Sequence, residues 1–242
     1  MFTYLIINLL TVLGPLIFSF ESRVRYVQKW RYLFPALLLS AVVFIVWDHW
    51  FTKWGVWGFN PAYTLGLDFF SLPLEEIIFF FAIPFACVFI YEVVGYFDKE
   101  SVFQPLVKPA TLLLGSLFLI VAAANPGKIY TSITFFAAAV FLYWHFYRLQ
   151  GRYLARFYLM FLFSLIPFFI VNGVLTNGLP WIDPGPVVWY NNAQNLGLRV
   201  MGIPVEDFVY SFLMLLTVVT FYEFLKIKAG RQSAPAASQG AS

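Results

Sequence analysis

The sequence predicts an all-α polytopic membrane protein of about seven transmembrane helices, arranged as two parallel three-helix repeats joined by a connecting helix. Hydrophobic residues make up 61% of the 242 positions and charged residues only 11%, with a mean hydropathy of +0.79. That is too little charge to coat a soluble globule of this size. Seven apolar segments, at 3–20, 33–51, 74–96, 108–124, 128–147, 154–176 and 204–226, are long enough or nearly so to cross a hydrocarbon core about 30 Å thick. Two of these segments open and close on the same polar residues, which points to an internal repeat.

The first segment lacks a basic leader and a small-residue cleavage site, and its positive charges follow it, so it reads as a retained anchor. The fourth is the shortest, and the direction of every later span depends on its crossing. Charge supports the crossing. Arg23, Arg25, Lys29, Arg31, Lys99, Lys108, Arg148, Arg152, Arg156, Lys226, Lys228 and Arg231 fall on one side, against Lys53, Lys128 and Arg199 on the other. The positive-inside rule then places the N-terminus outside and the C-terminus in the cytoplasm, in a multi-pass protein of the cell membrane. The expected units are a first repeat over 1–97, a connector over 98–126, a second repeat over 127–228, and a small, polar, disordered tail over 229–242. The single cysteine, Cys87, lies in an apolar segment and reads as a buried hydrophobe.

The third segment begins PLEE, with Pro73, Glu75 and Glu76, and ends at Tyr91 and Glu92. The seventh begins PVED, with Pro204, Glu206 and Asp207, and ends at Tyr222 and Glu223. The leading and closing glutamates are 17 residues apart in both, since 92 minus 75 equals 223 minus 206. An acid near a bilayer centre costs at least roughly 2.5 kcal/mol, so a duplicated set needs a reason. The repeat extends upstream: Asp48 and Thr52 end the second segment as Asn172 and Thr176 end the sixth, and Trp57 and Trp181 each follow five residues after the threonine. Corresponding spans lie four apart, so both halves cross in the same direction about an axis normal to the membrane.

This topology brings Glu75, Glu76, Glu206, Asp207, Asp48 and Asn172 to one level near the outer face. Glu92 and Glu223 lie about 25 Å lower at 1.5 Å per residue, which reads as a separate, interfacial and structural set. Carboxylates at helix N-termini can be purely structural, worth roughly 0.3 to 1 kcal/mol against the macrodipole. Repetition of the pair in both halves beside Asp48 or Asn172 favours chemistry instead. A desolvated carboxyl group keeps its proton more firmly and a neighbouring carboxylate strengthens this, so such a pair can hold one acid and one base. Trp47, Trp50, Trp54 and Trp57 fall on one stripe if the helix continues, Phe79 and Phe80 lie one turn into the third span, and Trp181, Trp189, Tyr190 and Tyr210 occupy the comparable region of the second half. Such rings can stabilise a desolvated cation, although Trp and Tyr also gather at any membrane interface.

The run WDHWFTKWGVWGFN, the two P-x-E-[ED] motifs, the Tyr-Glu pair closing both motif helices and GPLIFSF in the first span resemble the integral-membrane lycopene cyclases, in their fused two-repeat form. The resemblance runs over residues 1 to about 226. It implies cyclisation of the linear ψ ends of lycopene, usually to β-ionone rings, with the motif acids Glu75, Glu76, Glu206 and Asp207 as the catalytic groups. Residues and resemblance together suggest a redox-neutral isomerisation: a carboxylic acid protonates C2, the C5=C6 bond attacks the C1 cation, and a carboxylate removes the C6 proton. The chain would then be an intramolecular lyase, acting on lycopene or γ-carotene within the bilayer, with no nucleic acid. Association with other carotenoid enzymes or a second copy stays open, as do β, ε or γ ring type and the number of ends cyclised.

No G-x-G-x-x-G is present to hold a flavin, so no organic cofactor is expected. No metal is expected either, because His49 and His145 are far apart and read as interfacial or packed. His49 could still assist a proton relay from Asp48. A retinal-binding protein would need a mid-membrane lysine on the last span, where only Lys226 and Lys228 occur at its end, and a prenyltransferase would need an aspartate-rich motif. The remaining alternative is a proton-coupled transporter, which also uses intramembrane acids and internal repeats.

Overall fold

The computed structural model describes residues 2–99, 102–178 and 185–237. Seven α-helices run α1 (Thr3–Phe18), α2 (Trp30–Lys53), α3 (Leu74–Phe97), α4 (Val107–Ala124), α5 (Ile129–Arg148), α6 (Leu154–Asn177) and α7 (Val205–Ala237). Six helical segments among the described residues are long and apolar enough to cross a membrane, the connector among them as Gln104–Ala124. The short helix is α1, with 16 residues, rather than the connector as the sequence suggested. It exposes Leu9, Leu10, Leu13 and Ile17 outward. The connector gains a helical turn before Val107, from Gln104.

The halves interlock. Helix α1 packs on α3 and α5 on α7, while α2 crosses to α7 and α6 crosses to α3. Helices α3 and α7 therefore hold the centre, α7 being the most enclosed of the spans. Their apolar side chains, such as Val88 and Leu216, are fully buried in one large core. Helix α7 continues to Ala237, past residue 228 where a disordered tail was expected; once a helix is nucleated, extension costs little per residue. Residues 238–242 lie outside the described residues.

Helix α2 ends sooner than the tryptophan stripe required. Gly55 takes φ +67°, its N–H bonds Thr52 O at 3.0 Å and Val56 N–H bonds Phe51 O at 3.0 Å, which is a Schellman-type stop that favours glycine. The chain then enters a feature absent from the sequence reading: β1 (Trp57–Phe59) pairs antiparallel with β4 (Val188–Tyr190). Trp57 pairs with Tyr190, Gly58 with Trp189 and Phe59 with Val188. The acid motifs are offset by 131 residues, 206 minus 75, and the same offset maps 57 to 188, 58 to 189 and 59 to 190. Exchange of halves thus maps this ribbon onto itself. Its flanks obey the same rule, with Asn60 N–H on Val187 O at 2.8 Å and Asn191 N–H on Val56 O at 2.9 Å. A pseudo-two-fold axis passes through Gly58 and Trp189, where the indole lies on a backbone with no Cβ.

Each half also has a two-residue hairpin leading into its acid helix. Strands β2 (Asp68–Phe69) and β3 (Leu72–Pro73) turn through Phe70 and Ser71, and β5 (Arg199–Val200) and β6 (Ile203–Pro204) through Met201 and Gly202. All four turn residues have positive φ, the backbone of a type I′ hairpin. The motif prolines are the last strand residues of these hairpins, so they set where α3 and α7 begin.

Candidate active site

In the first turn of each central helix, the two acids of the motif have different surroundings. Glu75 is fully buried and its Oε1 accepts Leu65 N–H at 2.6 Å; Glu206 is fully buried and its Oε1 accepts Leu196 N–H at 2.7 Å and the Thr131 hydroxyl at 2.6 Å. These glutamates fasten the loop, ten residues back, that delivers the central ribbon. The second acids, Glu76 and Asp207, face a small cavity between the halves. Tyr4 at the start of α1 donates to Glu76 Oε2. Tyr130, at the equivalent point of α5, donates to Asp207 Oδ1 at 2.6 Å, and Tyr190 of the ribbon donates to Asp207 Oδ2 at 2.8 Å.

The cavity also receives Asp48 from α2 and Asn172 from α6. Asp48 is buried beside the Trp57 indole and interacts electrostatically with Glu76, which in turn interacts with Asp207. Asp48 Oδ2 has no hydrogen-bond partner among the described residues. Apart from Ser211, the rest of the wall is aromatic and aliphatic. Trp57, Phe79 and Tyr210 line it, with the Tyr210 ring 5.9 Å from Trp57 and edge-on to it. Tyr190, outside the spans, is held well above the usual tyrosine range by burial and by the Asp207 carboxylate, so it remains a hydroxyl donor.

The remaining sequence candidates are placed as follows. Trp47 sits behind Tyr210, at 5.8 Å and perpendicular. Phe80 is buried in the core and does not line the cavity. Trp50, still within α2, and Trp54, which caps it, are 43% and 52% exposed. Trp189 is half-exposed on the ribbon. Trp181 lies outside the described residues, and the ribbon register gives Val188 as the counterpart of Trp57. His49 turns from the cavity to bond Phe70 O at 2.5 Å, which removes it from the Asp48 relay. His145 is buried at the far end of α5.

A second, apolar cavity adjoins the first and shares Ile83, Phe168, Asn172 and Ser211 with it. It continues along α3 and α6 past Ala86, Cys87 and Ser164. The acid end is thus bordered by an apolar channel lined by α1, α3, α6 and α7.

Glu92 and Glu223 are remote from all this. Glu92 binds Arg156 at 3.1 Å, Lys226 at 3.2 Å and Lys29, and Glu223 binds Lys226 at 3.0 Å. The two Tyr-Glu pairs are crossed: Tyr222 donates to Glu92 at 3.0 Å, and Tyr91 interacts electrostatically with Glu223. They are a clamp between halves at the opposite end of the bundle.

Sequence reasoning missed Tyr4, Tyr130 and the role of Tyr190. One signal was present: N-x-A-x-x-L-G-L occurs at 60–67 and again at 191–198, marking the ribbon and loop as part of the repeat. Comparison with curated proteins and with solved structures finds no match. The sequence model of the family described as lycopene cyclase matches residues 1–94 and 127–225, covering both repeats and leaving the connector aside. The chain belongs to the lycopene cyclase family, membrane enzymes of carotenoid biosynthesis that cyclise lycopene.

Proposed function

We propose that the protein is a lycopene β-cyclase working by proton transfer alone, with Glu76 and Asp207 as its reacting carboxyl groups. One observation carries this: two acids from equivalent positions of the two repeats meet at one cavity whose walls, apart from Asp48, Asn172 and Ser211, are rings and hydrocarbon. A linear ψ end enters from the apolar channel. One carboxylic acid delivers a proton to C2, so the C1=C2 electron pair becomes a C–H bond and C1 becomes cationic. The C5=C6 pair then forms the C1–C6 bond and the charge moves to C5. A carboxylate removes the C6 proton and those electrons restore C5=C6. One proton enters, one leaves, and no electrons are exchanged, which makes the reaction an isomerisation by an intramolecular lyase.

Trp57 and Tyr210 would face the cation, where an aromatic ring is worth up to about 2 kcal/mol when desolvated, and would exclude the water that quenches it. Glu75 and Glu206 serve as anchors that aim the neighbouring acids. The distribution of Lys and Arg supports an N-terminus outside and a C-terminus in the cytoplasm of a cell membrane. The test is conversion of lycopene in deuterated buffer by membranes carrying the protein, without added reductant. The expected product has β rings, each with one deuterium at C2. Rings lacking that deuterium, or a strict need for a reductant, would overturn the reading.

A further inference from the structure

Among the differences between the two halves at the site, two that surround the acids have the same chemical sense. On the Asp207 side, the ribbon supplies a second hydroxyl, Tyr190 at 2.8 Å, in addition to Tyr130 at 2.6 Å. The equivalent position on the Glu76 side is Phe59, which lines the cavity with no hydroxyl, and Glu76 takes a single tyrosine, Tyr4. Conversely, α2 supplies Glu76 with a neighbouring carboxyl group, Asp48, where α6 supplies Asn172.

An ionised carboxylate only accepts hydrogen bonds, and one donor on each oxygen suits that form. A carboxylic acid must donate, and Asp207 has both oxygens occupied by donors. Two carboxyl groups that line one largely apolar cavity, as Asp48 and Glu76 do, favour sharing a single negative charge. Resting on the reading above, we infer that the two repeats have divided the work: Asp48 and Glu76 form the proton-donating side, with Glu76 reaching the substrate, and Asp207, held by Tyr130 and Tyr190, is the base that takes the C6 proton. Tyr190 is a positioning residue for that base. Each turnover leaves Asp207 protonated and the Asp48–Glu76 pair one proton short; loss of the first proton to the medium and uptake of another from it by the pair reset the site.

The division predicts different failures for the two sides. A misplaced base leaves the C5 cation free to lose a proton from C4 or from the C5 methyl group, giving ε or γ rings, whereas a weakened donor slows ring closure without altering ring type. The experiment compares Tyr190→Phe, which copies Phe59, with Asp48→Asn, which copies Asn172, in lycopene-converting membranes, scoring both rate and ring type. The expected result for Tyr190→Phe is a fall of about tenfold in the ratio of β to other rings, the scale of one lost hydrogen bond to a charged group. Asp48→Asn should lower the rate at least as much and give only the wild-type ring. An unchanged ring ratio in Tyr190→Phe, or a changed one in Asp48→Asn, overturns the assignment of sides. Glu76→Gln and Asp207→Asn run in parallel separate this from the reading it rests on: if both still form rings, the carboxyl groups are not the reacting groups at all.

Discussion

Glu76 and Asp207 occupy the same step of the two repeats and face each other's half across one cavity, each gripped by a tyrosine from the first turn of a helix in its own repeat. The two repeats share this cavity, because the axis relating them runs through the ribbon that lines it.

The anchoring glutamates should tolerate loss of charge better than loss of shape. Glu75→Gln and Glu206→Gln retain an oxygen for the N–H of Leu65 or Leu196 and are expected to keep at least about a tenth of wild-type turnover. Glu75→Ala strands a buried N–H and should cost a further 1–3 kcal/mol or so of stability. Pigment extraction and thermal unfolding in detergent measure the two effects; a Glu75→Gln variant as inactive as Glu76→Gln would contradict the anchoring role.

Opening the aromatic wall should change the product as well as the rate. Trp57→Ala removes the ring that packs on Tyr130 at 4.9 Å and on Tyr210, admitting water beside the C1 cation. Turnover is expected to fall by about tenfold or more, from the lost cation–π term. Mass spectrometry should find a carotenoid heavier by one water, hydroxylated at C1.

Filling the channel should act on substrate length. Ala86 lines the apolar extension of the site, and Ala86→Trp is expected to reduce conversion of lycopene while sparing a truncated polyene with one ψ end. Equal conversion of both substrates by this variant would show that the chain does not lie there.

The clamp at the other end should matter to stability alone. Arg156 joins Glu92 at 3.1 Å, lies over the Tyr91 ring at 3.7 Å and donates to Tyr91 O at 2.7 Å. Arg156→Ala leaves Glu92 less compensated in a buried site and should destabilise the protein by about 3 kcal/mol. Ring type should not change.

The sequence reading went furthest where the repeat is written in polar residues. Pro, the acid pair and the closing Tyr-Glu announced α3 and α7, and Asp48 with Asn172 announced their neighbours. It could not tell Glu75 from Glu76. Adjacent residues on a helix differ by about 100°, so the one that faces the cavity is decided by how α1 and α5 pack, a contact more than 70 residues distant. Trp57 reaches the cavity by another path than the one expected: a helical stripe was read from the sequence, but Gly55 stops α2 and a three-residue strand delivers the ring. Strands of two or three residues carry too little alternation to be seen in a chain this apolar.

The most direct test of a single shared cavity is the pigment profile of Glu76→Gln and Asp207→Asn, each alone, in lycopene-accumulating membranes where the variant protein is shown to be inserted. One cavity requiring both acids predicts no rings from either variant, with losses of about 100-fold or more for a missing acid or base. Accumulation of a monocyclic carotenoid at wild-type rate in either variant would mean that each repeat cyclises one end by itself, and would contradict the account.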